Sequence, residues 1–462
     1  MNTTINSLTA LALSASLICA QGAGPLNPPG PPADGTYRTL QELWDKLGTV
    51  EASNTALSAD VQALLATVQS LSSTVADQST LIDNLSQNVI EQTTFLSSLI
   101  GSQGIRINFA TENVGIIVLV PNDSGHPSLA YSPTTGEPSI VYKSETSFDA
   151  GGSRPNDNGW IRLATRNSGT WSKSTVLQRT DEDDLRVPGL AFDPAGTAHL
   201  AFGDFSAADE TTLAIMPTPT LSQITTPALF HPKLAFTPGG NPALVFREPG
   251  IGNSPQYGER KGGSWSFETI VSPARDQPVL TFDPFDRPAV AWSTGGNVKL
   301  AEKVPFTPPG GSPIFVFSTS TVDPSTKGDA ISVTYLNDGS PAVAYVADDG
   351  SLFYSQRNAD NSWSRDLIDD CPNIQSTGTG VLPTGHSFVA YTCDSGIYFA
   401  VRVNNIWTVT LAVPKNPLEG FPQNLSLAIG PDGLPGMAYQ VVSSVTTDIR
   451  FTKFVSFRVI RD

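Results

Sequence analysis

The sequence predicts a mainly β protein: a seven-bladed β-propeller of four-stranded blades, preceded by a long parallel coiled-coil helix. Two repeats of different period support this prediction. An apolar heptad repeat runs without a break from Leu40 to Leu99, and a strand–turn–strand hairpin recurs seven times between residues 127 and 439. The 39 glycines and 37 prolines agree with so many hairpins, because tight turns use both residue types.

Residues 1–20 are predicted to be a signal peptide, because the apolar run 8–20 has the length of a signal h-region and small residues follow it. A short buried helix is the alternative. No other stretch reaches the ~18 apolar residues of a membrane span, so we expect a secreted or cell-surface protein without such a span. Residues 21–38 form a proline-rich arm, since 24–32 contain five prolines and favour an extended polyproline conformation.

Residues 39–100 are predicted to be a coiled-coil stalk for oligomerisation, and residues 101–113 a neck. Thr39 and Glu42 have the spacing of a helix capping box. The first seam position of the heptads is occupied by Leu40, Leu47, Asn54, Val61, Val68, Val75, Ile82, Val89 and Leu96. The second seam position is occupied by Leu43, Val50, Leu57, Leu64, Leu71, Gln78, Leu85, Gln92 and Leu99.

The chain is therefore expected to associate with itself through residues 40–99. Valine and isoleucine at the first seam position with leucine at the second favour two parallel strands. The flanking positions instead carry mainly serine and threonine together with Leu65, Leu81 and Phe95, which a third helix would cover. We expect a homotrimer, with a homodimer as the alternative.

Residues 114–462 are predicted to form the propeller. The aromatic residues that close the second strands of the hairpins lie 44 to 60 residues apart, about the length of one four-stranded blade: Tyr142, Phe202, Phe246, Trp292, Tyr345, Tyr391 and Tyr439. In 341–345 alanine alternates with bulky residues, so both strand faces are apolar, as expected between stacked blades. The apolar strand Val114–Val120 is expected to supply the outer strand of the last blade and so to close the ring.

The repeat h-x-F/Y-x-P-x-G-x-P-x-h-h-Y, where h is apolar, is often followed by a fourth strand that opens with a tryptophan (Trp171, Trp265, Trp363 and Trp407). Over residues 114–462 this pattern resembles the secreted bacterial seven-bladed β-propellers of the BNR/sialidase-like repeat superfamily. The resemblance implies the fold and an extracellular protein. It assigns no activity, because no intact Asp box (S-x-D-x-G-x-T-W) is present in the sequence. We expect the tryptophans to pack at the edges of the core.

Charge and motifs exclude several function classes. The 43 acidic and 27 basic residues give a formal net charge of −16, which repels nucleic acid and anionic membranes. No Ser-His-Asp arrangement, zinc motif, P-loop or dinucleotide fingerprint is present in the sequence, so we assign no catalytic residue and no cofactor. The acid run 181–184 offers hard oxygen ligands for Ca²⁺, but it lacks EF-hand spacing, and a solvated loop is the alternative.

Ligand-binding residues are expected on one face of the propeller, where the loops after the second strands and the connectors between blades emerge. The polar residues of those segments are Asp149, Arg154, Asp204, Arg247, Glu248, Arg275, Asp276, Asp348 and Asp394. Arg247 and Arg275 are expected to reach one anionic group of a ligand. Alternatively, they pair with Glu248 and Asp276 as solvated surface ions.

Cys371 and Cys393 are the two cysteines left after removal of the signal peptide, which contains Cys19. An even number of cysteines outside the cytoplasm favours a disulfide, with two buried thiols as the alternative. Cys371 lies in the connector that enters the sixth blade, and Cys393 follows that blade's second strand. Both segments emerge on the same face, so we predict a Cys371–Cys393 disulfide that holds the loop of Asp394.

These observations favour an adhesive or structural function. A coiled-coil stalk would present two or three propeller heads that bind an extracellular glycan or protein partner, and linking the heads raises avidity without new contacts. The alternative is a secreted carbohydrate-active enzyme, a sialidase-like glycosidase or lyase with paired carboxylates on the propeller face. The sequence contains enough acids for such a site but no motif that selects a pair.

Overall fold

The structure is a computed structural model. It describes residues 36–102, 105–118, 126–145, 159–180, 185, 188–206, 210–225, 229, 232–247, 254–270, 274, 277–416, 420, 422–442 and 447–459. Two compact units, residues 1–101 and 102–462, divide the chain, and each is described by itself. The predicted signal peptide and residues 21–35 of the predicted arm lie outside the described residues.

The described part of the first unit is one helix, α1 (Thr36–Ser102, 67 residues). No proline interrupts this segment, and side chains such as Thr49 and Thr67 donate hydrogen bonds of 2.9 Å to the carbonyl four residues earlier. The helix begins three residues before the predicted cap at Thr39. Within its described residues, no stretch is both long and apolar enough to cross a membrane.

The apolar seam residues of α1 whose side chains are described lie exposed. Their accessible fractions run from 54 to 65 %, for Leu47, Val50, Leu57, Val61, Leu64, Val68, Leu71 and Val75. The heptad pattern therefore presents an apolar stripe along residues 47–75 of this helix, interrupted by Asn54, and each exposed leucine or valine is unfavourable in water. Self-association through the stripe remains a prediction.

The second unit is a β-propeller of seven four-stranded antiparallel sheets, as predicted. The first strand of the unit is β1 (Ile105–Val118). Blades 1 to 3, each from the inner strand outwards, consist of β2 (Ser128–Tyr131), β3 (Pro138–Glu145), β4 (Gly159–Asn167) and β5 (Thr170–Arg179); β6 (Gly189–Phe192), β7 (Ala198–Asp204), β8 (Glu210–Ile215) and β9 (Thr220–Thr225); and β10 (Lys233–Phe236), β11 (Pro242–Arg247), β12 (Pro255–Lys261) and β13 (Ser264–Thr269).

The remaining blades follow the same order. Blades 4 and 5 consist of β14 (Val279–Phe282), β15 (Pro288–Ser293), β16 (Val298–Phe306) and β17 (Ile314–Asp323); and β18 (Asp329–Tyr335), β19 (Pro341–Val346), β20 (Leu352–Arg357) and β21 (Trp363–Asp369). Blade 6 consists of β22 (Thr377–Val381), β23 (Ser387–Cys393), β24 (Gly396–Val403) and β25 (Ile406–Pro414), and blade 7 of β26 (Pro422–Ile429), β27 (Pro435–Val442), β28 (Thr447–Val459) and β1.

The turn between the first two strands of each blade requires a left-handed residue. In blade 5 this residue is Gly339 (φ 82°), whose N–H donates to the carbonyl of Leu336 (2.9 Å). In blade 4 it is Asp286 (φ 66°), which makes the same bond to Asp283 (2.9 Å). Glycine adopts this conformation freely and aspartate tolerates it, which explains why the other six blades have glycine at this position.

The second strand of each blade is the most deeply buried, and its two faces belong to different cores. Ala342 and Ala344 pack between blades 5 and 6, whereas Val343 and Tyr345 pack between blades 4 and 5, all without measurable exposure. These small residues of the strand therefore pack into one blade interface, and these large residues pack into the other. The outer-strand tryptophans, such as Trp363, contact the edges of these cores.

The last blade is closed by the N-terminal strand, as predicted, because β1 is hydrogen-bonded to β28 at the outer edge of blade 7. The strand begins at Ile105, not Val114, so most of the predicted neck is β-strand. Glu112 of β1 accepts two hydrogen bonds from Arg166 of blade 1 (2.8 and 2.9 Å) and one from the indole of Trp171 (2.8 Å). A bidentate ion pair thus joins the last blade to the first.

Candidate ligand-binding site

The seven inner strands surround a cavity of about 500 Å³. All seven blades line it, through the first residues of their inner strands: 126–129, 190, 233–234, 277 and 279–280, 330–333, 375–379 and 424–427. These strands begin at the face from which the blade connectors emerge. The cavity therefore lies at the face where we expect a ligand.

The polar side chains of the lining are mainly neutral hydroxyls and amides: Ser128, Gln277, Ser332, Gln375, Ser376, Thr377, Thr379, Asn424 and Ser426. His126 and Lys233 are the other polar lining residues that the structure describes, and none of the described lining residues is a carboxylate. Hydroxyls and amides both donate and accept hydrogen bonds. The lining is therefore chemically suited to a ligand rich in hydroxyl groups.

Three of the serines also join neighbouring blades. Ser128, Ser376 and Ser426 accept hydrogen bonds from the backbone N–H groups of the next blade's inner strand, at 2.9–3.1 Å. An inner strand is the edge of its sheet, so its cavity-facing N–H groups need such acceptors. Because a serine oxygen can accept one bond and still donate another, this structural role is compatible with contact to a ligand.

Proline avoids an unpaired N–H group at the start of four inner strands. Pro127, Pro188, Pro232 and Pro278 immediately precede the inner strands of blades 1 to 4. Proline has no N–H group, so it leaves no unpaired donor at the start of an edge strand. The inner wall of the propeller thus explains the proline that precedes the first strand in these four blades, which is distinct from the prolines of the turn.

Asp204, a predicted ligand residue, is instead 1 % exposed and faces Arg179 of blade 1. The Nε of Arg179 lies 3.2 Å from one carboxylate oxygen, and the backbone N–H of Ser206 donates to the same oxygen (3.2 Å). Burial alone would raise the pKa of Asp204, but the hydrogen bonds from Arg179 and Ser206 outweigh it and the pKa is lowered. Asp204 is therefore an ionised residue of the interface between blades 1 and 2.

Arg247 and Asp348 lie further from the centre than the inner strands. Arg247 ends β11 and is half-buried, and Asp348 is exposed in the turn after β19, where its backbone N–H donates to Thr326 (3.0 Å). Neither residue lines the cavity.

Asp394 lies beside the predicted disulfide. The structure joins Cys371 to Cys393, with Cα atoms 6.2 Å apart, within the usual range for a disulfide. The amide of Asn373 donates to one carboxylate oxygen of Asp394 (2.8 Å), while the other oxygen is buried without a described hydrogen-bond partner. The disulfide therefore joins the segment that leads to Gln375 and Ser376 of the cavity wall to the residue that precedes Asp394.

The other predicted residues, Asp149, Arg154, Glu248, Arg275 and Asp276, lie outside the described residues, as does the acid run 181–184. The predicted meeting of Arg247 and Arg275 thus stays a prediction. In the part of the chain that the structure describes, no group of three or more histidines, cysteines, aspartates or glutamates could hold a metal ion.

Sequence reasoning missed the inner-strand residues that form the cavity. It treated the first strand of each repeat as core, whereas its leading residues also form the central wall. The available signal was the variable residue before the repeated leucine or valine, which is Ser128, Gly189, Lys233, Val279, Ser332 and Ser426 in six of the blades. Core packing requires an apolar residue at such a position, so three serines and a lysine there indicate a different environment.

No family model matches this chain, and no curated protein matches it. Solved structures similar to it include a triple-arginine mutant of AofleA from Arthrobotrys oligospora, with 17 % identity over 67 % of this chain and 91 % of that chain (TM-score 0.41). A protein of unknown function from Dyadobacter fermentans has 12 % identity over 75 % of this chain and 99 % of that chain (TM-score 0.44). The NanB sialidase from Streptococcus pneumoniae has 11 % identity over 75 % and 71 % (TM-score 0.39).

Proposed function

We propose that this chain is a secreted or cell-surface stalk-and-head protein whose propeller binds an extracellular glycan or protein partner and whose helix joins copies of the chain. The observation that supports binding is the central cavity, which all seven blades line with mainly neutral donors and acceptors. Its volume of about 500 Å³ falls within the size range of small-molecule sites. A glycan is the favoured ligand because its hydroxyls match such a lining.

None of the described residues that line the cavity is a carboxylate, which favours binding over catalysis there. Glycosidases place two carboxylates about 5 to 9 Å apart. Of the predicted acids, the three that the structure describes, Asp204, Asp348 and Asp394, belong to three different blades, and Asp204 forms an ion pair with Arg179. A carbohydrate-active enzyme is accordingly the alternative outcome of the test below.

Gln375 is the most direct probe of the cavity, because its side chain is exposed and only its backbone N–H is used in the bond to Thr392 (3.4 Å). We expect the protein to bind members of an array of neutral and acidic glycans, and Gln375→Ala to weaken that binding roughly fivefold through loss of a hydrogen bond. Gln223→Ala, an exposed glutamine on the outer strand β9, is the matched control. If the parent protein binds no glycan, or if Gln375→Ala and Gln223→Ala bind equally well, a glycan site in the cavity is contradicted. Release of reducing sugar from a bound glycan would establish catalysis instead.

A further inference from the structure

The third and fourth strands of blade 4 extend beyond the sheet as a two-stranded ribbon, residues 303–317, called here the blade-4 ribbon. Its strand β16 pairs with β15 only over Val298–Glu302. The pairing of β16 with β17 continues from Lys303 opposite Phe317 to Phe306 opposite Ile314. Four residue pairs therefore project without a third strand, which is an arrangement of marginal stability in water.

Apolar side chains are exposed on both faces of the blade-4 ribbon. Phe306 and Ile314, directly opposite each other, are 48 and 47 % exposed, and Phe315, opposite Pro305, is 57 % exposed. Since successive residues of a strand point to opposite faces, Phe315 lies on the other face from Phe306. A protein groove would cover one face of such a ribbon, whereas an apolar medium covers both.

The tip of the ribbon carries few groups that need water. Residues 304–322 contain no ionisable side chain. The loop between the strands, residues 307–313, contains three prolines, which have no N–H, and the N–H of Gly311 is already bonded to the carbonyl of Pro308 (3.0 Å). Transfer of a backbone donor out of water is costly unless it is bonded, so this composition lowers the cost of immersion.

In three other blades the corresponding hairpin has an arginine where the second-strand pairing ends. The residues just beyond the second-strand pairing are Arg166 in blade 1, Arg357 in blade 5 and Arg402 in blade 6, and each makes an ion pair with a neighbouring strand or blade. In blade 4 the equivalent Lys303 pairs with Glu268 (2.6 Å), and the residues beyond it are apolar. The ribbon is thus anchored at its base and apolar at its tip.

We propose that the blade-4 ribbon is a membrane-interface anchor that inserts Phe306, Ile314 and Phe315 into the outer region of an electrically neutral lipid bilayer. Insertion buries both apolar faces at once, and aromatic side chains are favourable at this depth. The net charge of −16 disfavours anionic bilayers, so the surface chemistry that fits is zwitterionic. This inference is independent of the proposed function, because the ribbon lies outside the cavity lining.

The test is flotation of the full chain with phosphatidylcholine vesicles. We expect the protein to float, and the double variant Phe306→Ser/Phe315→Ser to lower the partition coefficient roughly tenfold or more, as expected for loss of two half-buried aromatic anchors. The matched control is Leu367→Ser/Ile406→Ser, which removes two residues of similar exposure (56 and 65 %) from blades 5 and 6. The control should float like the parent protein, and phosphatidylserine vesicles should recover less protein than phosphatidylcholine vesicles.

Several outcomes would overturn the proposal. The proposal is wrong if the parent protein stays with the dense fraction. It is also wrong if both double variants lose flotation equally, because that result indicates unspecific adsorption. A fall in the oligomer mass of Phe306→Ser/Phe315→Ser by light scattering, without a change in flotation, would show that the ribbon contacts another copy of the chain. Equal thermal unfolding of the parent and both variants verifies that the substitutions, all at exposed positions, leave the fold intact.

Discussion

Apolar residues of the regular repeat are exposed along helix α1 and buried in the propeller. Along α1, Leu64 is 65 % exposed and Val50 is 63 % exposed, although both occupy the seam of the heptad repeat. In the propeller, Val343 and Tyr345 occupy an equally regular repeat and have no measurable exposure. The propeller completes its core with its own strands, because each blade covers the next, whereas the apolar stripe of α1 has no cover within its own helix.

This difference predicts that the two regions respond differently to substitution. A change inside the propeller should lower the free energy of unfolding of the chain itself. A change in the stripe of α1 should alter association between chains and leave the propeller unaffected, because separate compact units have separate cores. The following predictions test that difference, from the largest expected effect to the smallest.

The largest effect is expected from removal of β1. A truncated chain that starts at Ile105 keeps all four strands of blade 7 and should unfold cooperatively near the temperature of the full chain. A chain that starts at His126 loses β1 and Glu112, one of the two carboxylates that bind Arg166, and exposes the edge of β28. It should aggregate or unfold at a much lower temperature. Circular dichroism during heating, with light scattering, measures both. Equal unfolding temperatures would show that β1 is dispensable.

The second effect concerns association alone. Leu64→Asp places a charge in the apolar stripe and should convert the predicted oligomer to single chains, since a buried unpaired charge is strongly unfavourable. Ala63→Asp is the control, because it adds the same charge outside the seam of the same helix turn. Light scattering gives the mass of each. A parent protein that is already a single chain would contradict the stalk, and unequal unfolding temperatures of the propeller would contradict its independence.

The third effect concerns the bridge between Cys371 and Cys393. The bridged residues are 22 positions apart, and closing a loop of that length should stabilise the fold by roughly 3 kcal/mol in the chain-entropy model. The double variant Cys371→Ser/Cys393→Ser should lose about that amount in urea unfolding. Reduced parent protein should unfold at the same urea concentration as the variant. Two free thiols in the unfolded, non-reduced parent protein would disprove the pairing.

The smallest effect is expected at the Arg179–Asp204 pair. Arg179→Met leaves the buried carboxylate of Asp204 without its charged donor and should lower the free energy of unfolding by about 2 kcal/mol near pH 7. The folded-state pKa of Asp204 is lowered, so its stabilisation is present above the unfolded-state pKa and is lost as the pH falls through the folded-state pKa. The difference between variant and parent should therefore persist near pH 7 and shrink once the pH falls below the ordinary aspartate pKa of about 3.9.

The control for this pair is Lys261→Met. Lys261 is 68 % exposed in its pair with Glu259, so its loss should change stability by less than about 0.5 kcal/mol. An Arg179→Met variant with the same deficit at all pH values would show that packing, and not the ion pair, accounts for the loss.

Local patterns were sufficient to predict the blades. The Gly339 turn, the apolar alternation of 341–345 and the spacing of the closing aromatics each depend on neighbouring residues. The start of β1 could not be predicted this way. Ile105, Ile107 and Phe109 alternate with polar residues, but their partners in β28 are Val459, Phe457 and Phe454, some 350 residues away. Pairing across that distance depends on closure of the ring, which no local pattern contains.

The candidate site likewise depends partly on local sequence and partly on tertiary structure. The sequence alone determined which face of the propeller carries the connectors, because strand direction follows from the order of strands and turns. Only the tertiary structure decided which polar residues reach the centre: Gln375 and Ser332 line the cavity, whereas Asp204 is buried against Arg179. The physical reason is that ring closure, and the fit of each blade on its neighbour, determine which strand edge faces the axis and which carboxylate meets a cation across a blade interface.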